Sequence, residues 1–314
     1  MNVKSGKEAE RLELAGGFAY YPALDFLGGR LAFNRSITNI DIWRLERGGI
    51  AAPFLTSSML DSNPEYSPDG RRIAFSSSRR GDSIAIWAAN ADGTGVTRIT
   101  RIESPRCGTP RWSPDGRWIT FDAYGKAGWD VWVVEASGGS ARQLTHGPAD
   151  NVVPSWSRSG ESIYFSSKRS GRFEIWRAPV HGGTEEQITR NGGYVGFESI
   201  DGKTLYYTVS HQGAEGLYAK RLPDGDEKQA VKEEVSSRGF AVFADGVYYL
   251  HRLGQSGYEI RFQEFANGRV QVVGEIEGHL VSASGLGVSP DRKTFLFSKV
   301  IGSESDLMMI EHFR

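Results

Sequence analysis

Two ionisable residues hold the same place in two similar stretches of this chain. Glu65 lies in Asn63-Pro64-Glu65-Tyr66-Ser67-Pro68-Asp69-Gly70, and Arg111 in Thr109-Pro110-Arg111-Trp112-Ser113-Pro114-Asp115-Gly116. A carboxylate and a guanidinium brought to one opening could hold a polar ligand by charge-assisted hydrogen bonds. Asp61, Asn63, Glu103, Arg106, Asp150 and Asn151 fall in neighbouring segments expected to be loops, where binding residues concentrate on rigid scaffolds. These eight are the candidate ligand-binding residues; the plainer reading of them is a solvated rim. Their counterparts in other stretches, Ala23, Ser155, Gly196, Ala241 and Gly287, are small, so charge is expected on one side of the opening and little bulk on the other.

Other chemistry finds little support. His146, His181, His211, His251, His279 and His312 are scattered without ligand spacing; His211 and His251 alone are placed to approach each other. No metal or cofactor site is expected. Cys107 has Arg106 beside it but no identifiable base, and reads as an incidental thiol. No Gly-x-Ser-x-Gly elbow, phosphate-binding loop or His-Glu-x-x-His motif is present. An acidic residue recurs before an apolar anchor, at Asp41, Asp130, Glu174, Glu259 and Asp306. Once-per-unit recurrence argues for structure, with the hairpin bases Arg35, Arg79, Lys168, Arg252 and Lys299 as expected partners. Trp118 and Trp129 fall outside the repeated positions and are candidates for surface contacts.

The elements that carry these residues follow from a repeat. Pro-x-(Tyr/Trp)-Ser-Pro-Asp-Gly leads to Ile73-Ala74-Phe75 and to Ile119-Thr120-Phe121; Val153-Pro154-Ser155-Trp156-Ser157 leads to Ile163-Tyr164-Phe165. A second anchor follows at Trp43, Trp87, Trp132 and Trp176, spaced by 44, 45 and 44 residues. Three weaker copies continue the beat, making seven. Each copy reads as four short strands. Pro presets φ, Asp bonds its own backbone and Gly takes positive φ in the turns between them. Four-stranded units at this period describe a β-propeller. The expected fold is all-β, one seven-bladed domain over 1–314, with six blades as the alternative if the weak C-terminal copies merge. Blades are expected near 20–60, 62–103, 108–148, 152–191, 194–235, 239–278 and 284–314. Residues 9–14 should latch the ring as the last blade's fourth strand.

Composition agrees. Of 314 residues 39 are Gly, while 39% are hydrophobic, enough for a large core. One Cys excludes an internal disulfide framework. With 37 basic and 38 acidic residues the chain gives no electrostatic reason to expect nucleic acid. No apolar run reaches the roughly 18 residues of a membrane span, and the first residues lack a secretory apolar stretch. The compartment stays open between cytoplasm and, for an excised or processed chain, periplasm.

Pro-x-Trp-Ser-Pro-Asp-Gly, Ile-x-Phe, Asp-Ile-Trp and Leu-Thr together resemble the TolB-type, or WD40-like (PD40), β-propeller repeat of bacteria. The likeness is strong over 60–190 and weaker after 195. The ending Ser305-Asp306-Leu307-Met308-Met309-Ile310 also resembles propellers fused to bacterial winged-helix regulators. The resemblance implies a six- or seven-bladed ring that binds proteins or peptides. Similar propellers occur in prolyl-oligopeptidase-type enzymes, whose triad lies in a separate domain. The expected function is therefore a noncatalytic scaffold or sensor that recognises a protein, peptide or small ligand at the channel mouth, with a missing fused domain possible. The alternative is a propeller lyase or glycoside-active enzyme using carboxylates and histidines around the channel.

Overall fold

The computed structural model describes residues 19–311, apart from 26–28, 82, 212–215, 256, 282 and 283. Every element among them is a strand, and no helix is long and apolar enough to cross a membrane. The strands form six sheets. Five are four-stranded and each follows one stretch of chain. They begin with the inner strands Asp61–Tyr66, Cys107–Trp112, Asn151–Trp156, Gly196–Glu198 and Phe240–Val242.

The sixth sheet is built from both ends of the chain. Its inner strand is Gly287–Val288, followed by Thr294–Glu311, Arg30–Glu46 and, outermost, Ala52–Leu55. The Arg47 amide donates to the Lys293 carbonyl at 2.8 Å and fastens the two middle strands at one end. The first and last sequence copies thus each supply strands of one sheet, and the all-β propeller architecture is as expected. The expected latch at 9–14 lies outside the described residues. The outer place in the closing sheet belongs to Ala52–Leu55.

The chain divides into two compact units. Residues 40–300 hold the ring. Its closure is visible in the core, where each sheet packs on the next. Ile86 and Ala88 meet Ile119 and Phe121; Val131 and Val133 meet Ile163 and Phe165; Ile175 meets Leu205 and Tyr207. Leu217 and Val231 meet Val247 and Tyr249, Leu250 and Ile260 meet Phe295 and Phe297, and Ile42 and Leu296 meet Ile73 and Phe75. The second unit comprises residues 1–39 and 301–314. Within it Ala19–Leu24 pairs antiparallel with the start of Arg30–Glu46. Ser305 Oγ donates to Asn34 Oδ1 at 2.6 Å, and Leu31 and Phe33 are buried.

The Ser-Pro-Asp-Gly turns form as their residues require. Ser67 Oγ donates to Asp69 Oδ1 at 2.6 Å, the Arg72 amide donates back to Ser67 Oγ at 2.9 Å, and Gly70 takes φ +70°. Proline interrupts three inner strands, where a missing N–H does no harm on an edge strand. The residue before it, Asn63, Thr109 or Val153, has φ between +42° and +52°, and the register shifts there by a bulge.

The recurrent acids have other partners than expected. Asp130 accepts from Thr145 Oγ1 at 2.9 Å, and Glu174 from Thr189 Oγ1 at 2.7 Å. The same hydroxyls accept the amides of Val131 and Ile175. A threonine of the fourth strand thus bridges acid and backbone inside one blade. Two of the hairpin bases reach the anchor rings instead: Arg79 lies 5.5 Å from the Trp87 ring, and Lys299 lies 4.0 Å from Trp43. Arg172, unremarked in the sequence, pairs with Glu174 at 2.7 Å.

Candidate functional site

Counting two residues back from the serine of each turn gives Glu65, Arg111, Ser155, Phe197 and Gly287, with Ala241 in the degenerate copy. All six line one cavity of about 370 Å³ in the ring unit. The inner strands alternate, so every blade sends one side chain inward at this level. Pro68, Pro114 and Pro290 of the turns line it as well, and Arg158 and Ile200 fill the proline position of their blades. Phe243, Leu286 and Val288 complete an apolar wall.

One sequence expectation is corrected here. Phe197, not Gly196, is the counterpart of Glu65. Gly196 faces Ile175 and Leu205, where an added Cβ would come within 2.9 Å and 3.2 Å of side-chain carbons. The side expected to be small therefore carries an aromatic ring. Ala23, another expected counterpart, belongs to the second unit.

Glu65 and Arg111 are brought together. Their closest charged atoms are 3.9 Å apart. Glu65 Oε2 also accepts the Trp112 amide at 2.7 Å. Burial pushes the Glu65 carboxyl up to about 7, against the opposing pull of Arg111, the Trp112 amide and Arg158. Burial also lowers the pKa of Arg111, which Glu65 partly offsets. The Arg111 guanidinium lies 5.0 Å from the Phe197 ring centroid. Glu198 is fully engaged, accepting from Tyr164 Oη at 2.5 Å and from the Arg158 amide at 2.7 Å. Ser155 Oγ donates to the Gly196 carbonyl at 2.5 Å.

The other candidates lie away from this cavity. Asp61 is fully buried and takes Arg79 at 2.9 Å. Asn151 is buried, donating to Asp130 Oδ1 at 3.1 Å and accepting from Arg169 at 2.9 Å. Asn63 is half-buried, its amide donating to Ser298 Oγ at 3.1 Å. Asp150 borders a separate depression with His146 and Lys168, Glu103 borders another with Tyr124 and Lys126, and Arg106 is exposed. These residues stand at the start of the inner strands, Glu65 and Arg111 near their end. Position along the strand, which a repeat does not mark as functional, separates them.

His211 and His251 are not partners: His211 lies near Phe173 and Tyr194, and His251 Nδ1 is 3.0 Å from the Glu234 carbonyl. Among the described residues no group of three or more His, Cys, Asp or Glu is placed to hold a metal. Cys107 is buried, which pushes its thiol up to about 12. Trp118 is partly exposed, and Trp129 packs edge-on against Tyr124 at 5.5 Å. Sequence reasoning missed Phe197, Arg158 and Ile200. The available signal was departure from the repeat, since Arg158 and Ile200 stand where other copies have Pro.

Residues 101–241 match the family model described as the TolB beta propeller domain. This segment is similar to TolB-type β-propellers. The Tol-Pal system protein TolB of Anaeromyxobacter dehalogenans is 36% identical over 107 residues, which is 34% of this chain and 24% of the relative. The uncharacterized peptidase YuxL of Bacillus subtilis is 37% identical over 82 residues, 26% of this chain and 12% of the relative. The matched segments thus span a quarter or less of these relatives. Among solved structures, a protein described as a TolB of Agrobacterium tumefaciens shares the fold of this chain with a TM-score of 0.67 at 17% identity, covering 84% of this chain and 99% of the other. A puromycin-hydrolyzing peptidase of Mycobacterium tuberculosis gives 0.57 at 17% identity, covering 82% and 44%.

Proposed function

We propose that this propeller is a binding module and that its cavity receives a peptide segment of a protein partner. The observation that carries the reading is the cavity itself: apolar walls of Phe197, Ile200, Phe243 and Leu286 around a half-buried carboxylate and a buried guanidinium. Ligand sites have this composition, and volumes of roughly 300–1,000 Å³ are usual. A name from the Tol-Pal system among the relatives agrees with a protein partner.

The enzymatic reading has peptidase relatives on its side. The cavity supports it less well. Ser155 Oγ is spent on a backbone carbonyl, each Glu198 oxygen already accepts from Tyr164 or the Arg158 amide, and no histidine is among the lining residues. A nucleophile needs an adjacent base, and acid–base catalysis needs two addressable groups.

The test is selection of displayed random peptides on the immobilised protein. Recovered peptides should lose at least about tenfold in affinity on Phe197→Ala or Ile200→Glu, and keep it on Trp118→Ala. Peptides that bind both cavity variants as well as the unchanged protein would place binding elsewhere and end this reading.

A further inference from the structure

Arg111 stands apart from Arg79, Arg158 and Arg169, whose guanidinium groups each have an acceptor. Arg79 donates to Asp61 at 2.9 Å and Arg169 to Asn151 at 2.9 Å. Arg158 donates to the Glu198 carbonyl at 3.3 Å. The Arg111 side chain is only 8% exposed, yet its guanidinium donates to no acceptor among the described residues. Glu65 stops at 3.9 Å, beyond hydrogen-bond reach. A guanidinium carries five donors in a planar fork, and those of Arg111 stand open to an incoming acceptor. The Phe197 face at 5.0 Å fixes the plane of that fork without satisfying any donor.

The charges around it favour an incoming anion. Arg238 adds a second positive field at Arg111, and its own Nε is buried without a partner. Asp122, the other nearby carboxylate, is occupied by Thr109 Oγ1 at 2.6 Å and the Val153 amide at 2.8 Å. Glu65 spends one oxygen on the Trp112 amide. The walls beside the fork are apolar: Phe197, Phe240, Val242 and Leu286.

We infer that the cavity is a receptor for the C-terminal residue of a peptide, its carboxylate taken by the Arg111 fork and its apolar side chain by the Phe197–Val242–Leu286 wall. The inference rests on the binding-module reading above and names the ligand chemistry for it. A carboxylate matches the guanidinium fork in two parallel hydrogen bonds. Glu65 then acts as the built-in competitor for the same fork, held back by its bond to the Trp112 amide.

The test uses the full chain and N-acetylated tetrapeptides ending in Leu, as the free acid and as the amide, titrated calorimetrically at low salt. A third peptide is amidated and carries an internal Asp. The free acid should bind at least about tenfold tighter than either amide. Arg111→Met should erase that preference. Glu65→Gln keeps the acceptor for Trp112 but removes the competing charge, so it should tighten the acid several-fold and leave the amide within about twofold. This variant keeps the test decisive should Arg111→Met unfold. Equal binding of acid and amide, weakening of the acid by Glu65→Gln, or no binding of the acid overturns the inference. Equal binding of the internal-Asp peptide overturns the assignment to the chain terminus. Equal binding of acid and amide that is lost on Phe197→Ala overturns the carboxylate receptor but leaves the peptide-binding reading standing.

Discussion

Glu65 shows how one residue ties stability to the cavity. Its carboxyl titrates near 7 in the folded chain against about 4.5 for an ordinary glutamate. Between those values the folded state holds a proton that the unfolded state has lost, so stability falls as pH rises from about 4.5 to 7 and then levels off. The groups that face Glu65 are Arg111, Arg158 and the Trp112 amide, all of which favour the ionised form; burial outweighs them. Glu65→Gln lacks this titration. Relative to the unchanged protein it should gain roughly 2–3 kcal/mol between pH 5 and pH 7.5. Urea unfolding at the two pH values measures this, and parallel behaviour of the two proteins would refute it. Binding of a carboxylate beside Glu65 raises its pKa further, so complex formation should take up protons at neutral pH. Calorimetry in buffers of different ionisation enthalpy reads that uptake directly.

In the first three sheets of the ring the fourth strand is only two residues long, so a side chain must do part of the joining. Thr145 and Thr189 do so by bridging a buried acid and a backbone amide. Thr145→Val leaves Asp130 and the Val131 amide short of a partner and should cost about 2–3 kcal/mol. In the first sheet Ala85 stands where the acid would be, and Thr100 Oγ1 accepts only the Ile86 amide, at 3.0 Å. Thr100→Val should therefore cost about 1 kcal/mol. Chemical denaturation of the two variants compares them, and equal losses would deny the acid a role. The turns obey a similar local logic. At Gly70 φ is +70° and an added Cβ would come within 3.2 Å of Pro290 Cδ in the neighbouring turn. Gly70→Ala should destabilise by about 1–2 kcal/mol through strain and crowding together, measured as a shift in unfolding midpoint.

For the molecule as a whole the closing sheet matters most, because a ring without it has two bare edges. Residues 40–46 and Ala52–Leu55 come from one end of the chain, Gly287–Val288 and residues 294–300 from the other. A chain of residues 40–300 should unfold in one cooperative transition by calorimetry, since it holds all six sheets of the ring. Removing residues 287–300 from it takes away two strands and the Phe295, Leu296 and Phe297 core. That shorter chain should show no comparable transition; a similar midpoint for both would contradict closure by these strands.

What the sequence determined by itself was everything local and repeated. Ser-Pro-Asp-Gly, the Ile-x-Phe alternation and the Trp spacing specify a strand, a turn and a four-stranded unit, because turn chemistry and side-chain alternation act over a few residues. The pairing of Glu65 with Arg111 followed from equal places in two copies. Tertiary structure decided what depends on partners distant in the chain. It joined the first and last copies into one sheet, since hydrogen bonding between remote strands leaves no mark on either alone. It moved Phe197 into the cavity and Gly196 out of it, since one residue of register reverses which face a side chain takes. It buried Asp61 and Asn151 as structural partners, although their sequence surroundings resembled those of Glu65. The open donors of Arg111 are likewise a property of the packed ring, because only there is every nearby acceptor already engaged or out of reach.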